Sequence, residues 1–329
     1  MYSPDDPSAF FALLTKKYIQ HENFEYFLKD SEIAYTFCTQ STSITFIPIA
    51  AFEDGICVAH IALILDSRLP KGEAFFGFLE VPNDASCFDK LWDALLRESQ
   101  HHGITTLKGP VNGSIWHQYR CIEETDGSEF FTAEPITETY YYHLLTEKRP
   151  SSEIQYFSAY RTRYSMILTL LGAASYTRLS LTGFSIKEAT EVSIEEMRTI
   201  ADISKKTFHS NWGYTELTEQ EFLQLYSPQK LNAHLNSLYL LYKGEAIIGF
   251  LSTAKENDST LICKTICIVP EYQGQGLGNA LAYKLHQDAE NNGITKIVYA
   301  LIREGNAIKK FPKEHAVIFR KYAAFEFTL

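Results

Sequence analysis

A chain of 329 residues is longer than one small core usually supports, so two domains are expected. Hydrophobic residues make up 45% and charged residues 21%, the balance of a globular rather than a disordered chain. Lys and Arg number 30 against 40 Asp and Glu, a net charge of −10 that argues against a general nucleic-acid binder, because phosphate affinity comes from clustered cations.

In chain order, Ser8 to Leu28 reads as one or two helices, with apolar residues recurring about every 3.6 positions. Strands follow at Ile44 to Phe52 and Ile56 to Leu65, joined by Asp54-Gly55, a tight-hairpin signal. Ala74 to Val81 carries Phe75, Phe76, Phe78 and Leu79, a run suited to a strand buried on both faces and stopped by Pro82. Cys87 to His102 reads as a helix with Phe88, Leu91, Trp92 and Leu95 on one side, ended by Gly103. Ile104 to Leu107 resumes a strand before Gly109-Pro110.

The second half repeats this grammar. Leu238 to Tyr242 and Ala246 to Ser252 form a hairpin around Lys243-Gly244-Glu245, and Leu261 to Val269 is a strand ended by Pro270. A helix from Leu277 to Glu290 aligns Leu277, Leu281 and Leu285 on one face, Asn291-Asn292-Gly293 stops it, and Ile294 to Ile302 is the next strand. A final strand spans Ala316 to Thr328. His102-Gly103-Ile104-Thr105 stands in this order where Asn292-Gly293-Ile294-Thr295 stands later, which suggests a duplicated α/β module. Arg149-Pro150-Ser151-Ser152 is the clearest linker signal, so the expected division is a first module at 1–150, a linker or shared segment at 151–180, and a second module at 181–329.

Targeting and metal signals are weak. Asp5, Asp6 and the short apolar stretch Ala9 to Leu14 fit neither a secretory signal nor an anchor, and Met166 to Ala174 falls far short of the roughly 20 residues a spanning helix needs. A cytoplasmic protein without a membrane partner is expected. The six cysteines lack zinc spacing and the ten histidines form no His-Glu-x-x-His, so no metal is expected; Cys263 and Cys267 read as small buried thiols of one strand face.

The sharpest feature is Gln273-Gly274-Gln275-Gly276-Leu277-Gly278-Asn279, placed between a strand and a helix. Helix starts leave backbone N–H groups unpaired with the positive dipole end behind them, and glycines let an anion approach. A pyrophosphate is the natural guest. The bare spacing arises by chance about 0.3 times in such a chain at average glycine content, so the strand–helix setting carries the reading. A Walker loop needs Gly-Lys-Ser/Thr, whereas Asn279 and Ala280 follow Gly278. A dinucleotide fingerprint fails on its last glycine interval and on the lack of an acidic residue from Lys296 to Ile302.

On these residues, Leu261 to Asn306 resembles the core of the GNAT N-acetyltransferases, whose Gln/Arg-x-x-Gly-x-Gly/Ala loop binds acyl-CoA; the likeness extends over about 190–329. The resemblance implies two GNAT-like α/β (α+β) modules, each a mixed, mostly antiparallel sheet flanked by helices. It implies pantetheine pairing at Cys267 and Ile268, pyrophosphate binding along Gln273, Gly274, Gln275, Gly276, Leu277, Gly278 and Asn279, and a pantetheine contact from Asn306. The chain also looks like tandem GNAT proteins whose first module has lost its cofactor loop: the counterpart Pro82-Asn83-Asp84-Ala85-Ser86-Cys87 has no glycine, and Asp84 suits a helix cap.

The implied activity is N-acyl transfer from acetyl-CoA to a primary amine, with no metal, an unidentified acceptor and a possible homodimer. Alternatives are a non-catalytic acyl-CoA-binding or sensor protein and a Fem-like aminoacyl transferase, the latter opposed by the acidic chain and intact loop. The tyrosine that often serves as acid in such enzymes is replaced by Lys313, so no catalytic residue is assigned; Tyr299 and Tyr322 are substitutes that read first as packed aromatics. Trp116-His117-Gln118-Tyr119-Arg120, Tyr140-Tyr141-Tyr142, and Trp212 with Tyr214 could shape an acceptor site or simply pack.

Overall fold

The computed structural model describes residues 7–162, 166–189, 191–226, 235–305 and 316–329. By contacts the chain divides into two units: Met1–Tyr156 with Gly213–Thr215 and Arg320–Leu329, and Phe157–Trp212 with Glu216–Phe319.

The first unit begins with helices α1 (Ser8–Tyr18) and α2 (Phe24–Gln40). Helix α2 runs beyond the expected Leu28, because Phe27, Ser31, Ala34, Tyr35 and Cys38 keep one face buried even though polar residues interrupt the apolar pattern. Strands β1 (Ile44–Glu53), β2 (Ile56–Asp66) and β3 (Glu73–Glu80) follow, then α3 (Ala85–His101), β4 (Thr106–Gly109), β5 (Cys121–Thr125) and α4 (Tyr140–Glu147). Asp84 caps α3 as expected, its carboxylate accepting from the N–H groups of Ser86 and Cys87. Strand β3 is buried on both faces from Ala74 to Glu80.

Strand β6 (Ser152–Arg161) and helix α5 (Met166–Leu181) occupy the stretch that reads as a linker or shared segment in the sequence. Then come β7 (Phe184–Ala189), α6 (Ile194–Phe208), α7 (Glu219–Leu225), β8 (Leu235–Lys243), β9 (Ala246–Asn257), β10 (Thr260–Ile268), α8 (Leu277–Asn291), β11 (Lys296–Arg303) and β12 (Val317–Thr328). Ser193 with Glu196 and Thr218 with Glu221 form reciprocal caps at the starts of α6 and α7.

In the first unit the strand order is β1-β2-β3-β4-β12-β6. Residues 320–328 thus complete a sheet otherwise made from the first 156 residues. Phe325 pairs antiparallel with Gly109, Tyr322 with Ile122, and the Ser151 N–H donates to the Glu326 carbonyl at 2.7 Å. Phe76, Phe88, Trp92, Leu107 and Phe325 form the centre of the core. In the second unit the order runs from β6 through β11, β10, β9 and β8 to β7. β3 runs parallel to β4 and β10 parallel to β11, while the pairs β1–β2, β2–β3, β4–β12, β5–β12, β7–β8, β8–β9 and β9–β10 run antiparallel.

These parallel pairs show the duplication as geometry. β3 and β4 pair only from Glu73↔Thr106 to Phe75↔Lys108, and β10 and β11 only from Thr260↔Lys296 to Cys263↔Tyr299. Beyond those registers the strands part, and a helix crosses over from the end of the first strand in each case.

Candidate functional site

Residues 273–279 turn from β10 into α8. The helix starts because Leu277, Leu281 and Leu285 bury one stripe, and Ala280 and Ala289 let it lie close to the sheet. Its N-cap, Gly276, takes the left-handed conformation at φ 79°, and Gly274 does the same at φ 77°, geometry that costs other residues steric strain. Backbone bonding stops at the Gln273 N–H, which donates to Pro270 O at 3.2 Å, and resumes at the Ala280 N–H, which donates to Gly276 O at 3.1 Å. Among the described residues nothing accepts from the amides of Gly274, Gln275, Gly276, Leu277, Gly278 or Asn279. Gly274, Gln275 and Asn279 are exposed, so these donors with the helix dipole behind them can reach an anion.

The corner beside this loop is set by β10. Its Leu251 and Phe250 neighbours on β9 pair with Ile266 and Cys267, while its other edge has left β11 after Cys263. Gly249 permits the close approach: a Cβ there would lie 2.6 Å from the Cys267 carbonyl oxygen. Cys267 is 1% exposed, and burial pushes its thiol up to about 12, so it is an inert wall rather than a nucleophile. The Ile268 carbonyl accepts from Gln273 Nε2 at 2.8 Å and from Thr207 Oγ1 at 3.5 Å. Gln273 therefore braces the strand end, and the run of available amides begins one residue later. Asn306 and Lys313 lie outside the described residues.

Sequence reasoning missed one neighbour of this loop. Helix α5 lies along α8, so close that a Cβ on Gly172 would sit 2.8 Å from Tyr283 Cβ, and Ser175 Oγ stands 3.2 Å from where a Gly276 Cβ would project. The apolar run Met166 to Ala174 is visible in the sequence, but only its length against a membrane invites attention there.

The two substitute tyrosines have different settings. Tyr322 is fully buried in the first unit, hydrogen-bonded to Glu134, which also meets Arg320 Nη1 at 2.6 Å. Tyr299 sits at the last paired register of β10 and β11, its hydroxyl on His286 Nε2 and its ring 5.7 Å from the Arg161 guanidinium. Burial, reinforced by Arg161, lowers the pKa of His286 to about 3, so this imidazole is neutral. Tyr140 to Tyr142 form part of α4, where Tyr141 is buried and donates to Glu80 at 2.8 Å. Trp116 packs on Tyr214 and donates through Nε1 to Thr215 O at 2.9 Å, while the His117 ring lies tilted against Phe37.

In the first unit the corresponding opening is filled from within. After Gly109 the chain turns back over β3, so tightly that a Cβ on Gly77 would fall 2.0 Å from Val111 O. The Val111 N–H donates to Phe76 O at 2.8 Å, and Asn112 Oδ1 accepts from the Phe78 N–H at 2.7 Å. Residues 110–112 thereby take the edge bonds of β3 that β4 has given up.

Among the described residues no cluster of three His, Cys, Asp or Glu could hold a metal ion, and no helix is long and apolar enough to cross a membrane.

Residues 197–310 match the acetyltransferase (GNAT) family. No curated protein sequence matches the chain. Among solved structures, a tandem GNAT protein from the clavulanic acid biosynthesis pathway superposes with a TM-score of 0.61 at 11% identity, covering 99% of this chain and 97% of that one. A GCN5-related glucosamine N-acetyltransferase region of a fungal multi-domain GH3 β-N-acetylglucosaminidase gives 0.57 at 12% identity, over 99% of this chain and 37% of that one. A GCN5-related N-acetyltransferase from Sphaerobacter thermophilus gives 0.51 at 10%, over 99% and 94%. The fold is that of the GNAT acyltransferases. The family match lies in the second unit, and over the whole chain the fold is similar to that of tandem GNAT proteins.

Proposed function

We propose that the second module is an N-acyltransferase that moves an acetyl or acyl group from acetyl-CoA to a primary amine by direct attack. The observation that carries the proposal is the run of amides from Gly274 to Asn279, without an acceptor among the described residues, at the start of α8 inside the family-matched segment. Acetyl-CoA supplies the activated acyl group. The amides of Gly274 to Asn279 hold its pyrophosphate, and Gln273 keeps the corner rigid by holding Ile268 O. The end of β10 at Cys267 and Ile268, parted from β11 after Cys263, lies where the pantetheine arm would run. Acyl transfer then asks the protein to hold the two reactants together and to receive a proton from the attacking ammonium.

On this reading the first module, placed at 1–150, does not bind CoA. It lacks the glycine loop, Asp84 spends its carboxylate on the cap of α3, and residues 110–112 occupy the edge of β3. The setting is cytoplasmic and the acceptor is a primary amine.

Isothermal titration with acetyl-CoA tests the reading. The intact protein should bind, and Gly276→Glu should weaken binding by on the order of tenfold or more by bringing a carboxylate to the amides. No binding by the intact protein, or undiminished binding by the variant, refutes it. Tight binding with no thiol release across a panel of amines would instead make the protein an acyl-CoA sensor.

A further inference from the structure

Helix α5 supplies one side of the amide loop in the second unit. Gly172 lies against Tyr283 and Ser175 against Gly276, so α5 runs in the opposite direction to α8 and passes its start. The last turn of α5 is held beside the loop. Leu179 is buried, and the Thr182 carbonyl accepts from Lys243 Nζ at 2.6 Å. Lys243 in turn lies 4.2 Å from the Phe184 ring, which meets Tyr272 edge-on at 5.8 Å, and Tyr272 ends the turn that leads into the loop.

Two side chains on this stretch of α5 are uncommitted. The hydroxyls of Ser31, Ser99 and Thr182 donate to the carbonyl four residues earlier, at 2.8, 2.7 and 2.9 Å. Ser175 Oγ makes no such bond to any described residue, and it stands 3.2 Å from where a Gly276 Cβ would project. A hydroxyl released from its own helix can turn its proton to whatever the loop holds. Arg178 lies one turn further on, about 4.5 Å along the axis, in the direction in which the start of α8 opens. It is exposed, and its guanidinium meets no carboxylate among the described residues. Charge gives this arginine its weight. From Thr265 to Tyr283 the chain has neither Lys nor Arg, and Glu271 adds an acid. Helix-start amides offer partial charges only, whereas a coenzyme diphosphate carries full ones.

We propose that α5 completes the coenzyme site, with Ser175 Oγ donating to the diphosphate and the Arg178 guanidinium neutralising it. This rests on the reading of the second module as an acetyl-CoA binder, and it adds two residues from outside the glycine loop. The division of labour follows from the geometry. The amides and the Ser175 hydroxyl are short, directed donors that orient the diphosphate, while Arg178, on a long exposed side chain, contributes charge that salt can screen. A second module cut at residue 181 would lose both groups, so the stretch before β7 belongs to the site and does not merely join two modules.

The test is calorimetry on the full chain with acetyl-CoA and with 3′-dephospho-acetyl-CoA, at low and at high salt. Ser175→Ala should weaken both ligands by about tenfold at either salt concentration, the loss of a hydrogen bond to a charged group. Arg178→Gln should weaken both by about fivefold at low salt and by less than about twofold near 0.5 M, where exposed charges are screened. Arg178→Lys, which keeps the charge, should bind within about twofold of the parent. Alanine, glutamine and lysine are good helix formers, so circular dichroism and thermal midpoints should stay those of the parent. If the parent fails to bind acetyl-CoA, the underlying reading falls and this one with it. If the parent binds and Gly276→Glu weakens it, but Ser175→Ala and Arg178→Gln bind like the parent, the role of α5 alone is overturned. A loss at Arg178 that salt does not change, or that appears only with the 3′-phosphate present, would overturn the place of that guanidinium at the diphosphate.

Discussion

Two glycines of the amide loop, two residues apart, should respond to alanine in opposite ways. Gly276 sits at φ 79°, where an L-residue pays roughly 1–2 kcal/mol. Its new Cβ would also stand 3.2 Å from Ser175 Oγ, a tight contact that the hydroxyl can relieve by turning. Gly278 lies inside α8 with only Ile268 Cδ1 near its would-be Cβ, at 3.9 Å, an ordinary contact. Alanine there should gain about 1 kcal/mol of helix propensity. The variants are therefore expected to differ by about 2–3 kcal/mol, seen as thermal midpoints moved a few degrees in opposite directions at about 2–4 °C per kcal/mol. Gly276→Ala should also weaken acetyl-CoA by about tenfold in calorimetry, because the direction of the amides that follow depends on the left-handed corner. Midpoints that move the same way, or a Gly276→Ala protein that melts and binds like the parent, would refute the conformational argument.

Other outcomes follow from the same structure. Burial lowers His60 to about 4 despite its bond to Phe78 O, and lowers His286 to about 3. Histidines with depressed folded values lend stability above their unfolded pKa near 6.5 and lose it as pH falls, so urea titrations at pH 7 and pH 5 should differ by about 2 kcal/mol for each. His60→Asn, which keeps a donor for Phe78 O, should flatten that acid slope. Arg320→Met strands Glu134, whose carboxyl is pushed by burial to about 7 against the pull of Arg320. Chemical denaturation should show a loss of about 3–5 kcal/mol. The loss should deepen as pH rises through 7, because a raised folded pKa favours the protonated fold, and adding Glu134→Leu should recover most of it. Gly77→Ala puts a methyl 2.0 Å from Val111 O, backbone that cannot turn aside, and should cost about 3 kcal/mol or more in the same assay.

Much of the fold is written locally. Asp54-Gly55 and Lys243-Gly244-Glu245 turn hairpins where the residues demand them, and Asp84 and Gly276 start α3 and α8 within one or two residues of the expected positions. Strand β6 escaped because Pro150 and two serines look like a tether, while its pairing partner β12 lies far along the chain, beyond the reach of any local pattern. Helix α5 escaped for a related reason: its worth comes from Gly172 and Ser175 fitting against α8, a match between two surfaces that spacing does not encode. The glycine loop could be read directly, since its chemistry belongs to the main chain. The filling of the first opening could not, because Asn112 imitates a strand's acceptor with its side chain. Trp116, His117 and Arg120 belong to a cluster that the sequence flagged for either packing or recognition, and each packs on an aromatic ring.

The dependence of the first sheet on residues 320–328 has a consequence for biosynthesis. A nascent chain that has produced β4 and β6 still lacks the ribbon that lies between them. At ribosomal speeds of about 5–20 residues per second, the gap stays open for on the order of ten seconds or longer, a window in which two bare strand edges face solvent or a chaperone.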